Sequence, residues 1–214
     1  MTVEKGSIEW DSGSVSAVWH PSTSGGTYLV LGHGAGGNLH TPWMARFAEA
    51  TTARGIGAVR FNFPYAEARR KVPDHQKILE ACYRAVAMRV AARASRLIIG
   101  GRSMGGRIAS HIVAAGFPAA GLLFLGYPLH PPGEPDRLRD AHLGRIGIPM
   151  LFIQGSRDAF ARNDLLSATL KRLPTASLHI VEGADHSLTV RGRTAKDILQ
   201  EVVDTTLGWI GGAA

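Results

Sequence analysis

A single cysteine, Cys82, stands in this chain of 214 residues, so no internal disulfide can form and a reducing, cytoplasmic setting is expected. It falls within a long helical stretch, where a small core residue is the expected role rather than a reactive thiol. Long apolar runs are also missing. The longest, around Gly121-Leu-Leu-Phe-Leu-Gly126, is strand-sized, against the roughly 20 residues a bilayer-spanning helix needs, so no membrane association is expected. Glu4, Lys5, Glu9 and Asp11 lie near the N-terminus, so no secretory apolar segment is expected there. Lysine is scarce, 5 against 19 arginines, and the net charge is +7. The arginines are scattered, the only tight run is Arg69-Arg70-Lys71, and no aromatic interleaving accompanies them, so no nucleic-acid partner is expected. No His-Glu-x-x-His motif or other cluster of ligand-type side chains occurs, so neither a metal nor a cofactor is expected. Repeats and low-complexity tracts are absent as well, and no feature of the sequence sets an oligomeric state.

What is present is an alternation of strand-like and helix-like segments over one domain, residues 1–214, with a 45% hydrophobic content sufficient for a substantial core. Ser7–Trp10 and Val15–His20 read as two strands joined by the Asp11-Ser-Gly13 turn, an antiparallel hairpin at a sheet edge. A loop at Ser22–Gly26 follows. Tyr28–Leu31, Gly57–Asn62, Arg96–Ile99, Leu122–Leu125, Met150–Gln154 and Ser177–Val181 read as strands. Pro42–Ala53, Asp74–Ala94, a segment from Met104 onward, Asn163–Leu173 and Thr194–Ile210 read as helices. Continuous apolar strands alternating with helices imply an α/β fold: a mostly parallel sheet covered on both faces, with the hairpin extending one edge.

Within that frame, Gly101-Arg-Ser-Met-Gly105 matches G-x-S-x-G where the pattern carries meaning, after a strand and before a helix. About 0.2 chance matches are expected for a chain this rich in glycine, so the context makes the signal. A serine at such a turn is held above the sheet, which makes Ser103 the candidate nucleophile; the competing role is a helix cap. A serine hydroxyl needs an adjacent base, oriented by a carboxylate. Asp158 follows the strand Met150–Gln154 and is the candidate acid, with helix capping as its alternative role and Asp164 as its rival. His186 follows the strand Ser177–Val181 and is the candidate base, ahead of His179, which lies within that strand. The neighbouring Asp185 is expected to hold the loop. A third loop, His33-Gly-Ala-Gly-Gly37, has the freedom to fold under a substrate carbonyl, so the Ala35 and Met104 N–H groups are the candidate oxyanion donors. His33 is expected to brace this loop, which lacks the Lys and Ser/Thr of a phosphate-binding loop.

Together, His33-Gly34, Gly101–Gly105, Gln154-Gly-Ser-Arg-Asp158 and Gly183-Ala-Asp-His186 resemble the α/β-hydrolase superfamily. More narrowly, Gly100–Gly106, Gly126-Tyr-Pro-Leu-His-Pro-Pro132 and Gln154–Asp158 resemble a branch related to dienelactone hydrolases. That branch holds bacterial predicted hydrolases, an animal testis-expressed protein and a subunit of a chromatin-acetylating complex. The likeness runs from about residue 5 to 211 and implies an α/β-hydrolase fold with a Ser103–Asp158–His186 triad. Dienelactone hydrolases use a cysteine nucleophile where this chain has serine, so their substrate is not carried over.

The expected activity is hydrolysis of an ester-like acyl bond of a small molecule through an acyl-enzyme. Thioesterase, lipase or peptidase chemistry on the same triad is the alternative, as is a non-catalytic interaction module. Lids of this fold are usually inserted between the strands ending at Leu125 and starting at Met150; the 24 residues between them are too few for a cap domain. An open site follows, expected to be rimmed by the substrate-binding candidates His40, Phe63, Tyr65, Tyr127 and His130, for which packing beneath loops is the other role.

Overall fold

A computed structural model describes residues 3–23 and 26–212. The expected loop at Ser22–Gly26 lies partly outside these residues, at positions 24 and 25. Eight strands form one sheet: β1 (Glu4–Trp10), β2 (Gly13–His20), β3 (Thr27–Gly32), β4 (Gly57–Phe61), β5 (Arg96–Arg102), β6 (Gly121–Leu125), β7 (Met150–Gly155) and β8 (Ala176–Val181). Their order is β1-β2-β4-β3-β5-β6-β7-β8. β1 and β2 pair antiparallel, β2 joins β4 antiparallel, and every pairing from β4 to β8 is parallel. The hairpin is thus an edge extension, as its turn chemistry implied.

The helices are α1 (Pro42–Thr52), α2 (Pro64–Glu67), α3 (Gln76–Ala91), α4 (Met104–Ala114), α5 (Asn163–Leu170) and α6 (Ala195–Gly212). Alternation along the strands divides the core into two layers. Val30, Val59, Ile99, Phe124 and Phe152 pack with Tyr83, Val86, Ile108 and Leu166 on the side of α3, α4 and α5. Their strand neighbours Leu29, Ala58, Ile98, Leu123 and Leu151 pack with Phe47, Ile198 and Val202 on the side of α1 and α6. Both faces are buried, which is why these strands read as continuous apolar runs.

Two differences from the sequence reading have local causes. α3 begins at Gln76 rather than Asp74, because Asp74 is engaged with Arg70 in an ion pair of 2.5 Å before the helix starts. α2 is a four-residue turn started by Pro64, too short to show any periodicity. The connection from β6 to β7 contains only turns and one 3-10 segment, Leu143–Arg145, and no inserted cap domain.

After β3 the chain passes to β4 on one side, and after β5 to β6 on the other. In open α/β sheets this point of divergence, at the C-terminal ends of the strands, is where ligands bind. Tyr83 of α3 fixes the junction. Its buried hydroxyl accepts the Gly100 N–H at 2.9 Å and lies within donating distance of the Val30 carbonyl, at 2.8 Å. Burial pushes its pKa well above the usual phenol range. Tyr83→Phe leaves the Gly100 N–H without a partner, so we expect a loss of about 1–3 kcal/mol, read as a lower urea midpoint at unchanged slope.

Candidate active site

Ser103 closes β5 and opens α4 with φ 48° and ψ −114°. A non-glycine residue in this region costs on the order of 1–3 kcal/mol and persists only where its surroundings enforce it. The enforcement comes from glycines. A Cβ on Gly105 would lie 2.1 Å from the Gly32 carbonyl oxygen, and one on Gly101 (φ 141°) would meet the same atom at 2.1 Å. The backbones of β3, β5 and α4 therefore touch, and the serine between them is turned outward. Its N–H donates to the Leu125 carbonyl at 3.1 Å.

Three loops bring the partners to it. Ser103 Oγ is 2.8 Å from His186 Nε2, and His186 Nδ1 is 2.7 Å from Asp158 Oδ2. A carboxylate oxygen can only accept, so Nδ1 carries the imidazole proton and Nε2 faces the hydroxyl as an acceptor. The Asp158 side chain is fully buried and also accepts the Phe160 N–H at 2.7 Å and the Gln154 side-chain amide. Phe160 stacks on the His186 ring, with centroids 4.2 Å apart. Asp185 accepts the N–H groups of Ser187 (2.8 Å) and Thr189 (3.0 Å), which makes it the loop's internal brace. Asp164 is exposed and paired with Arg162, and His179 is bonded to Glu201 (2.8 Å); both lie away from the serine.

Met104 is the first residue of α4, where an N–H has no partner inside the helix and the helix dipole favours negative charge. In the loop after β3, the Gly36 N–H donates to the Tyr65 hydroxyl (3.2 Å) and the Gly37 N–H to the Gly34 carbonyl (3.1 Å). Among the described residues no acceptor is found for the Ala35 or Met104 N–H. Ala35, Ser103 and Met104 line one cleft of about 310 Å³, together with Leu79, Arg107, Pro128, Arg139 and Phe160.

The expected rim requires correction. Phe63, Tyr65 and Tyr127 are completely buried and His130 is 2% exposed, so these four lie beneath the loops. Tyrosine and histidine rings bury their bulk and use a polar edge to hold a neighbouring backbone, while Phe63 is apolar filling. The Phe63 N–H donates to His33 Nε2 (3.1 Å), and the Tyr65 hydroxyl reaches the Gly34 and Gly36 backbone. The Tyr127 hydroxyl donates to the Arg139 carbonyl (2.7 Å). His130 Nε2 accepts the Arg162 N–H (3.0 Å), while the His130 backbone N–H donates to the Phe160 carbonyl (2.9 Å). His40 is exposed but lies outside the cleft lining, its N–H donating to Asn38 Oδ1 (2.8 Å).

Gln154 is the residue that sequence reasoning passed over. Completely buried at the end of an apolar strand, it accepts the Tyr127 N–H (2.8 Å) through Oε1 and donates to Asp158 through Nε2. A polar residue ending the run Met150-Leu-Phe-Ile was the available signal. Among the described residues, no group of three or more His, Cys, Asp or Glu is arranged to hold a metal ion. No helix among them is long and apolar enough to cross a membrane.

A hydroxyl, an imidazole and a carboxylate bonded in series, on loops that follow parallel strands, define a class of α/β protein whose sheet edge is organised around a serine. Over residues 25–211 the chain matches the alpha/beta hydrolase domain, and it belongs to that family. The fold is shared with an alpha-beta serine hydrolase homologue from Coxiella burnetii (TM-score 0.78, 19% identity, 96% of this chain and 98% of that one). It is also shared with a serine hydrolase without lid from Xanthomonas campestris (TM-score 0.73, 20% identity, 98% and 95%). A dienelactone hydrolase from Anabaena variabilis is similar as well (TM-score 0.78, 16% identity, 99% and 97%).

Burial lowers the pKa of His33 from 6.5 to about 4, so it remains neutral, Nδ1–H donating to the Gly34 carbonyl (2.9 Å) and Nε2 accepting from Phe63. Between pH 6.5 and 4 the unfolded chain binds the proton more readily. The stability owed to neutral His33 is therefore complete above pH 6.5 and lost as pH falls toward 4, by about 3 kcal/mol at most. His142, lowered to about 3 by burial, acts in the same direction. Urea midpoints across this range should fall with acidity, and less steeply for His33→Gln.

Proposed function

We propose that the protein is a serine hydrolase that cleaves an ester-like acyl bond through an acyl-enzyme. The observation that carries this reading is the series Ser103 Oγ to His186 Nε2 (2.8 Å) to Asp158 (2.7 Å) at a strained, glycine-enforced turn. Each element of the series has a chemical task. His186 Nε2 takes the Ser103 proton as Oγ attacks the carbonyl, and Asp158 keeps the imidazole in the required tautomer and stabilises the imidazolium. The N–H groups of Met104 and Ala35 receive the oxyanion. His186 then protonates the leaving group, and water activated by the same imidazole releases the acid.

Membership in the alpha/beta hydrolase family supports the reading, as do similar folds described as a serine hydrolase and as esterases from Rhodothermus marinus and Pyrococcus furiosus. An open cleft of about 310 Å³ with no cap domain above it favours small or extended acyl substrates over a single buried long chain.

Short-chain 4-nitrophenyl esters provide the test. Wild type should turn them over and be labelled by a fluorophosphonate; Ser103→Ala should lose labelling and about 10³–10⁶ in kcat, and Asp158→Asn about 10⁴. Turnover that survives Ser103→Ala would overturn the assignment of the nucleophile.

A further inference from the structure

We propose that the cleft contains an anion subsite formed by Arg107 and Arg139, which selects acyl substrates carrying a carboxylate on the acyl half. The inference rests on the serine-hydrolase reading and names the substrate class of that same site. Arg107 stands one helical turn beyond Ser103, its N–H donating to the Ser103 carbonyl at 3.1 Å, and both residues line the cleft. Arg139 reaches the cleft from the β6–β7 connection. Its backbone is fixed at both ends, with the N–H donating to the Leu129 carbonyl (2.8 Å) and the carbonyl accepting the Tyr127 hydroxyl (2.7 Å). Both guanidinium-bearing residues line the cleft that holds Ser103 and the two oxyanion-donor candidates.

Among the described residues, neither arginine pairs with a carboxylate. Arg107 Nη1 contacts only neutral acceptors, Gln76 Oε1 (3.3 Å) and His111 Nε2 (3.2 Å). The acidic groups nearby have other partners, Asp74 through Oδ1 alone, its buried Oδ2 having none among the described residues. Asp74, also in the cleft lining, pairs with Arg70 (2.5 Å), Glu134 with Arg137 (3.0 Å), and Asp140 with Arg172 (2.7 Å), while Glu80 accepts the Gln76 amide (2.7 Å). Arg107 and Arg139 thus bring to the cleft two positive charges that no carboxylate among the described residues contacts directly. Arg139 is held below the usual guanidinium range by burial, then by Arg107 and Arg137, with Glu134 acting the other way. Unpaired, half-buried guanidinium groups are costly, and a carboxylate that they fork would relieve both desolvation and repulsion. The cleft lining holds these arginines together with Ser103, Ala35 and Met104, whereas His186, which delivers the proton to the leaving group, is outside it. The anionic group therefore belongs to the acyl half.

The test compares 4-nitrophenyl pentanoate with mono-4-nitrophenyl adipate, which differ by the terminal carboxylate, each corrected for the Ser103→Ala background. Wild type should prefer the half-ester by about tenfold or more in kcat/KM, with the preference shrinking as salt rises. Arg107→Gln and Arg139→Gln should each reduce that preference about tenfold, chiefly through KM. Equal use of the two esters, or arginine variants that slow both alike, would overturn the subsite while leaving the hydrolase reading intact. Binding separates the reverse case. Adipate, but not adipamide, should bind Ser103→Ala in calorimetric titration and fail to bind Ser103→Ala/Arg139→Gln with unchanged circular dichroism. If neither ester is turned over but this pattern holds, the subsite stands and the hydrolase reading falls; no adipate binding overturns the subsite.

Discussion

The close contact of Gly32 with Gly101 and Gly105 is the constraint on which the remainder of the site depends. Three backbones meet there with no room for a side chain, the Cβ positions falling 2.1 Å from the Gly32 carbonyl oxygen. Because β3, β5 and α4 cannot separate, the turn between strand and helix has no relaxed alternative, and Ser103 is left at φ 48°. The local cost is borne by packing on both sides of the sheet, and it yields an outward hydroxyl and a free N–H at the first residue of α4.

The loops around this turn are held from below. His33 and Tyr65 support the loop after β3, Tyr127 supports the β6–β7 connection, and His130 and Gln154 support the segment carrying Asp158 and Phe160. In each case a buried side chain bonds a loop backbone or carboxylate. Rigid strands supply the anchor points, so short loops can place His186 and Asp158 within hydrogen-bonding distance of a residue contributed by another strand.

The fold was legible in the sequence because both-face burial leaves continuous apolar strands, and because the Asp11-Ser-Gly13 turn signals a hairpin. That Ser103, Asp158 and His186 come together was legible for a related reason: each follows such a strand, and strand ends on one edge of a parallel sheet converge. The direction in which a side chain points was not. Tyr65, Tyr127 and His130 carry the composition of a binding rim, and the same amphipathic character lets them bury a ring and bond a backbone. Arg139 gave no signal, since its place in the cleft depends on how an irregular connection folds over Tyr127. The start of α3 was misread because Pro73-Asp74 has the form of a helix start, whereas Asp74 is committed to Arg70.

The N-terminal hairpin has an effect on how copies of the molecule meet one another. The matched family domain begins at residue 25, after both of its strands. Without it, the sheet would end at β4, five wholly buried residues whose outer hydrogen-bonding groups would seek any passing strand. With it, the margin becomes β1, mostly exposed and bearing Glu4, Lys5 and Glu9. The hairpin thus exchanges an apolar border for a charged one, the kind of margin that discourages edge-to-edge pairing.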